Sequence, residues 1–210
     1  MLVGATGVVG SQVLAMALAD ARFGSVVAPT RRALPPHDKL TNPVLDFADL
    51  PVDAPWWRVD AVICTLGTTI KAAGSEAAFA TVDRELPIRI ARLARHAGAT
   101  RFALNSSMGA SHKGNFYLRT KAQAETTIRA IGYPYFTIVR PSLIDVQRDH
   151  SRPFERAGIV AMRALAPLIP RRYRAVKPDA IARALIEGVQ TPLPGEKIIE
   201  SDSLQVPITP

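Results

Sequence analysis

The 210-residue chain contains one cysteine, Cys64, and four histidines. A single thiol excludes a disulfide framework and permits a reducing compartment. Scattered histidines around one cysteine give no metal-ligand spacing, so no resident metal is expected. Long apolar runs are missing too. A membrane-spanning helix needs about 20 consecutive apolar residues. The longest candidate, residues 61–70, is far shorter and contains threonines. Aromatic residues make up only 6% of the chain, which matters because the formal net charge is +8. That charge invites a nucleic-acid reading. Residues 148–183 carry eight Arg and one Lys against three acids, but the stacking aromatics that single-strand binders interleave are nearly absent there, Phe154 and Tyr173 aside. The excess reads as a solvated surface or a basic face near an anionic ligand. Nucleic acid is not expected as a partner, and neither is a membrane.

What is present suits one globular domain: 48% hydrophobic and 21% charged residues. Apolar runs of strand length alternate with helical patterns. "MLV" is a truncated first strand and "VVGSQVLAMALAD" a helix with Val9, Val13 and Ala17 on one face. "SVVAP" is a second strand and "NPVLDF" a short third. "VDAVICTLG" has the continuous apolar character of a strand buried on both faces. "DRELPIRIARLARHAG" is an amphipathic helix stopped by Gly98. "RFALNSS" is the fifth strand, "FYLRTKAQAETTIRAIG" a helix, and "YFTIVRP" the sixth strand. This alternation predicts an α/β, doubly wound parallel sheet (Rossmann), because parallel neighbours need helical crossovers. After Pro141 the pattern weakens to two helices, "RPFERAGIVAMRALAPLIP" and "KPDAIARALIEGV". Residues 1–145 are therefore expected as a Rossmann core. Residues 146–210 are expected as a small, mostly helical substrate-side cap on the same structural domain.

Gly4, Gly7 and Gly10 form G-x-x-G-x-x-G between the first strand and the first helix. Glycine is needed where the chain turns tightly and where backbone must approach a pyrophosphate, and the helix N-terminus supplies free N–H groups. The competing reading of "MLVGATGVVG" is an export signal with "ALADA" as its cleavage region. It lacks a basic leading region and its apolar core is broken by glycines. A retained cofactor turn in a cytoplasmic protein is the better expectation. At the end of the second strand an NAD-binding chain usually carries an acid that grips the ribose 2′-hydroxyl. Here the residues are Thr30, Arg31 and Arg32. Two guanidiniums match a 2′-phosphate in charge and fork geometry, so NADP(H) is the expected cofactor.

Tyr117 and Lys121 stand four residues apart on a predicted helix and share a face. An ammonium beside a phenol favours the phenolate, which equips a tyrosine for proton transfer to or from a carbonyl or alcohol oxygen. Ser106, Ser107 and Ser111 follow the fifth strand, at the carboxyl end of the sheet where ligands bind in such folds. None lies in a G-x-S-x-G elbow, and His112 has no evident carboxylate partner, so a hydrolase triad is excluded.

The glycine triplet, the Tyr-x-x-x-Lys pair and the upstream serine resemble the short-chain dehydrogenase/reductase superfamily. The stretches "GATGVVG", "TRR", "ICTLGTTIKAAGSEAAFATVD", "FALNSSMGASHKGNFYLRTKAQAE" and "IVRPSLIDVQRDHSRP" resemble its atypical branch, the Tat-interacting-protein-like oxidoreductases, which are similar to NAD-dependent epimerase/dehydratase proteins. The resemblance implies roles. Gly4, Thr6, Gly7, Val8, Val9 and Gly10 would meet the pyrophosphate, and Arg31 and Arg32 the 2′-phosphate. Leu66, Gly67 and Thr68 would line the cofactor. Tyr117 would be the proton donor, and Lys121 would also hold the nicotinamide ribose. Ser107, with Ser106 second, would position the substrate; Arg148 would stand near the ligand.

The expected function is thus an NADP(H)-dependent oxidoreductase acting on a carbonyl or alcohol, a small-molecule substrate. The alternative is an NADP(H)-binding regulatory or scaffold protein with little turnover, since a fold does not fix a function. Sugar-nucleotide epimerase chemistry is a neighbour, for which the C-terminal part looks short. The helices after strands four and five could form a homodimer face or simply pack on the sheet. Cys64, at the end of a buried strand, is expected to be inert.

Overall fold

The computed structural model describes residues 1–145 and 170–205. The expected helix at 152–170 and Arg148 therefore lie outside the described residues, apart from Pro170. Five parallel strands form the main sheet in the order β1 (Leu2–Val3), β4 (Ala61–Cys64), β5 (Arg101–Asn105), β6 (Tyr135–Arg140) and β7 (Gly195–Glu200). A separate parallel ladder joins β2 (Val26–Val27) to β3 (Leu40–Thr41). The helices are α1 (Val8–Ala19), α2 (Ile70–Ala73), α3 (Glu76–Ala80), α4 (Leu86–His96), α5 (Phe116–Ala130) and α6 (Pro178–Gln190).

Side chains alternate across a strand, so each central strand feeds two cores. Val62, Cys64, Phe102, Leu104, Phe136 and Ile138 point to one face and meet Ile90, Ala91 and Ala94 of α4 and Ile128 of α5. Ile63, Ala103 and Val139 point to the other and meet Val9 and Val13 of α1 and Ile181, Leu185 and Val189 of α6. Both faces are covered, which explains why these strands read as unbroken apolar runs. Leu86, Ile88 and Leu93 of α4 pack against the same core.

β1 is only two residues long, yet it is held along its whole length. Ile63 N–H donates to Met1 O at 2.9 Å, and Thr65 donates to Val3 O from both its N–H and its Oγ1, each at 2.9 Å.

Three expectations need correction. The third strand is Leu40–Thr41, ahead of "NPVLDF", which contributes only a bridge between Thr30 and Val44. The expected helix from Asp83 is preceded by a π-helical turn, Thr81–Glu85, and becomes α-helical at Leu86. The C-terminal part is not wholly a helical cap. α6 packs against the sheet, and β7 extends it along β6 in parallel register from Tyr135↔Gly195 to Arg140↔Glu200. "GEKIIE" hides its strand nature behind charges, as edge strands do.

Candidate functional site

The glycine turn is built for close approach. Gly4 has φ +89°, a backbone conformation that L side chains rarely adopt, and an added Cβ would stand 2.6 Å from Thr65 Oγ1. At Gly10 a Cβ would lie 2.0 Å from Gly4 O. Bare glycines thus let β1, α1 and the end of β4 converge. Gly7 N-caps α1, no side chain caps it, and the first turn holds no acid. Thr6, Gly7 and Val8 are exposed. Uncapped N–H groups at the positive end of a 12-residue helix suit an anion. Val9 is buried in the core, so only its backbone faces this turn.

Beyond β4 the chain passes Leu66, which packs partly against the core, and reaches Gly67 and Thr68. Thr68 N–H donates to Asp83 Oδ2 at 2.9 Å, and Asp83 Oδ1 lies 2.7 Å from Lys121 Nζ. Gly67 stands over this pair, its would-be Cβ 3.5 Å from Oδ1 and 3.7 Å from Nζ. Asp83 sits in the π-helical turn, a device frequent at functional sites. The sequence marks it only by its place at the end of the "FATVD" string. Burial works against the Lys121 ammonium, but the Asp83 carboxylate, with help from Tyr117, outweighs that and leaves its pKa raised.

α5 begins at Phe116 because Asn115 caps it, accepting from Leu118 N–H at 3.0 Å. Tyr117 is in its first turn, half-buried, its ring 5.4 Å from that of Phe79. Lys121 follows one turn later on the same face. The structure therefore joins Gly67, Thr68 and Lys121 through Asp83, with Tyr117 beside them.

The three serines separate clearly. Ser106 is buried and donates to Glu125 Oε1 at 2.5 Å. Glu125 also takes two bonds from Arg140, at 3.0 and 2.6 Å, and Arg140 reaches Glu200. Ser106 is thereby committed to a buried network. Ser111 is a turn residue whose Oγ accepts from Lys113 N–H. Ser107 is half-exposed, with one long contact to Met108 O at 3.4 Å. Its loop continues the β5–β6 pairing, with Ser106 N–H donating to Val139 O and Met108 N–H to Pro141 O.

Arg31 and Arg32 follow β2, both exposed and without an ion partner among the described residues. Cys64 is buried, and burial pushes its thiol up to about 12. A cavity of about 570 Å³, lined by Arg22, Arg58, Asp60 and Arg101 among others, lies at the amino ends of the strands, opposite this site. Among the described residues no His, Cys, Asp and Glu cluster could hold a metal, and no helix is long and apolar enough to cross a membrane.

Residues 4–189 match the model of a family described as NAD(P)H-binding. Among relatives, the Aspergillus fumigatus protein fmp52, mitochondrial, is 32% identical over 98% of this chain and 92% of its own. Rattus norvegicus HTATIP2 is 29% identical over 97% of this chain and 86% of its own. Among solved structures, MoeE5 in complex with UDP-glucose and NAD superposes with a TM-score of 0.71 at 16% identity, covering 94% of this chain and 73% of MoeE5. That likeness shows the fold. The expectation of a cytoplasmic location is overturned, because fungal relatives are named mitochondrial. A lone thiol does not distinguish one reducing compartment from another. The chain belongs to the NAD(P)H-binding family, in the atypical short-chain dehydrogenase/reductase group with HTATIP2 and fmp52.

Proposed function

We propose that this protein is an NADP(H)-dependent oxidoreductase that reduces a carbonyl or oxidises an alcohol. The observation that carries the reading is the Tyr117–Lys121 face of α5, locked by Asp83 beside Gly67 and Thr68. The residues fit a dinucleotide: neither Gly4 nor Gly10 admits a Cβ, and the α1 N-terminus is uncapped. Thr6, Gly7, Val8 and the backbone of Val9 and Gly10 would hold the pyrophosphate, and Leu66, Gly67 and Thr68 would line the cofactor. Arg31 and Arg32 would hold the 2′-phosphate. When bound, the cofactor supplies or takes up a hydride.

The chain's own residues handle the proton and the alignment. The Tyr117 hydroxyl gives a proton to the carbonyl oxygen in reduction and takes it back in oxidation. Lys121, fixed by Asp83, holds the ribose and faces Tyr117 with its charge. Ser107, the serine with a nearly free hydroxyl, donates to the substrate oxygen. Residues 1–145 supply the cofactor side.

A second reading, an NADP(H)-binding regulatory protein with little turnover, draws on the same ion pair. The Asp83 carboxylate offsets the charge that Lys121 presents to Tyr117. A panel of aldehydes and ketones incubated with the protein and NADPH, followed at the nicotinamide absorbance, separates the two. Turnover that falls at least about 100-fold in Tyr117→Phe supports the enzyme, in line with the usual contribution of a positioned acid. Tight NADPH binding without oxidation by any panel member supports the second reading. Turnover unchanged in Tyr117→Phe refutes the role given to the tyrosine.

A further inference from the structure

The exposed arginines at 31 and 32 can discriminate a phosphate only if the backbone that carries them is fixed, because a guanidinium on a loose turn spends its binding on ordering. The fixing is done from outside the turn. Thr30 is buried, and its Oγ1 donates to Arg32 O at 2.6 Å, closing the turn across both arginines. The same Oγ1 accepts from Asn42 Nδ2 at 2.8 Å. Nδ2 also donates to Ala28 O at 2.6 Å, and Asn42 Oδ1 accepts from Leu34 N–H at 2.8 Å. One half-buried amide thus grips the chain before the arginines, at residues 28 and 30, and after them, at residue 34. The donor and acceptor set of these partners fits only one orientation of the amide. Main-chain bonds from Thr30 N–H to Pro43 O and from Leu45 N–H to Thr30 O, each 3.0 Å, stitch the clasp to the segment after β3.

From this arrangement we infer that Asn42, acting through Thr30, is a positioning residue that sets the preference for the 2′-phosphorylated dinucleotide without touching it. The inference rests on the NADP(H) reading above. Arg31 and Arg32 provide the charge, and the Thr30–Asn42 clasp provides the geometry. Removing the clasp frees the turn and weakens the phosphate contact, while the pyrophosphate and ribose contacts stay intact.

The test is fluorescence titration of the full chain with NADPH and with NADH, beside thermal unfolding. Asn42→Ala and Thr30→Val are each expected to raise the NADPH Kd by roughly tenfold, the worth of about one to two neutral hydrogen bonds. The NADH Kd should move less than about twofold by the same reasoning. Thr30→Ser keeps the hydroxyl and should keep the preference, which covers the case in which another variant fails to fold. In an Arg31→Ala/Arg32→Ala background, Asn42→Ala should have no further effect on NADPH, since the charge it positions is gone. Equal losses for NADPH and NADH would overturn the proposal, as would an undiminished effect of Asn42→Ala in the double-alanine background. If the unaltered protein binds both dinucleotides equally, the NADP(H) reading itself fails and the proposal falls with it. If instead the arginine variants erase the preference and the clasp variants do not, only the clasp proposal fails.

Discussion

Replacing Lys121 by Met removes half of a buried ion pair and strands the other half. The Asp83 side chain is 1% exposed and that of Lys121 8%. At the observed 2.7 Å, with an effective dielectric near 20, their attraction is about 6 kcal/mol. Desolvating the two ions costs several kcal/mol each, so the intact pair is close to neutral for stability. The single variant differs, because Asp83 keeps only the Thr68 N–H. Breaking such a pair from one side costs about 3–5 kcal/mol. Asp83→Asn strands the ammonium and should cost a similar amount. The double variant, Lys121→Met/Asp83→Asn, buries no charge, and its loss should fall short of the sum of the singles by about 2–3 kcal/mol. Urea unfolding followed by the fluorescence of buried Trp57 measures all three. The pH dependence has a definite sign. The folded pKa of Lys121 is raised, so its contribution is complete at neutral pH and is lost only as pH rises past the ordinary lysine range. Single variants within about 1 kcal/mol of the parent, or strict additivity in the double, would refute the reasoning.

Three further outcomes follow from the same geometry. Gly10→Ala puts a Cβ 2.0 Å from Gly4 O, a backbone atom that cannot swing away. It should cost at least about 3 kcal/mol by overpacking and abolish NADPH binding, and an unchanged melting temperature would contradict this. Cys64 is buried, with its thiol pushed up to about 12, so it holds almost no thiolate at pH 8. It should resist a thiol reagent in the folded protein and react once unfolded; fast labelling of the native state would show an accessible thiolate. Glu125→Leu removes the buried partner of Arg140, leaving it Glu200, and frees Ser106. A loss of about 3–5 kcal/mol in urea unfolding is expected, and a loss below about 1 kcal/mol would mean that Glu200 alone suffices as the partner of Arg140.

The sequence made some of this legible and concealed the rest for physical reasons. β4, β5 and β6 are buried on both faces, so burial wrote itself into continuous apolar runs. The glycine turn was readable because no other residue fits where a Cβ would meet Gly4 O or Thr65. The β2–β3 ladder spans two residues on each side, too short to leave a period; "SVVAP" encloses β2, but β3 lies just ahead of "NPVLDF". β7 pairs on one side and carries Glu196, Lys197 and Glu200, so its alternation is masked by charge. At the site, Tyr117, Lys121 and Gly67 could be named from spacing and resemblance. Asp83 could not, because its partner is 38 residues away and the π turn that aims it has no local signature. The choice among Ser106, Ser107 and Ser111 stayed open in the sequence because it depends on Glu125, which the fold brings beside Ser106.

The proposed function requires a dinucleotide held between the Gly4–Gly10 turn and the arginines at 31 and 32. Titration calorimetry of the unaltered protein with NADPH and NADH, side by side, tests it most directly. NADPH is expected to bind at least about tenfold more tightly, through one or more charge-assisted contacts to the 2′-phosphate. Equal affinity for the two, or no binding of either, would contradict it.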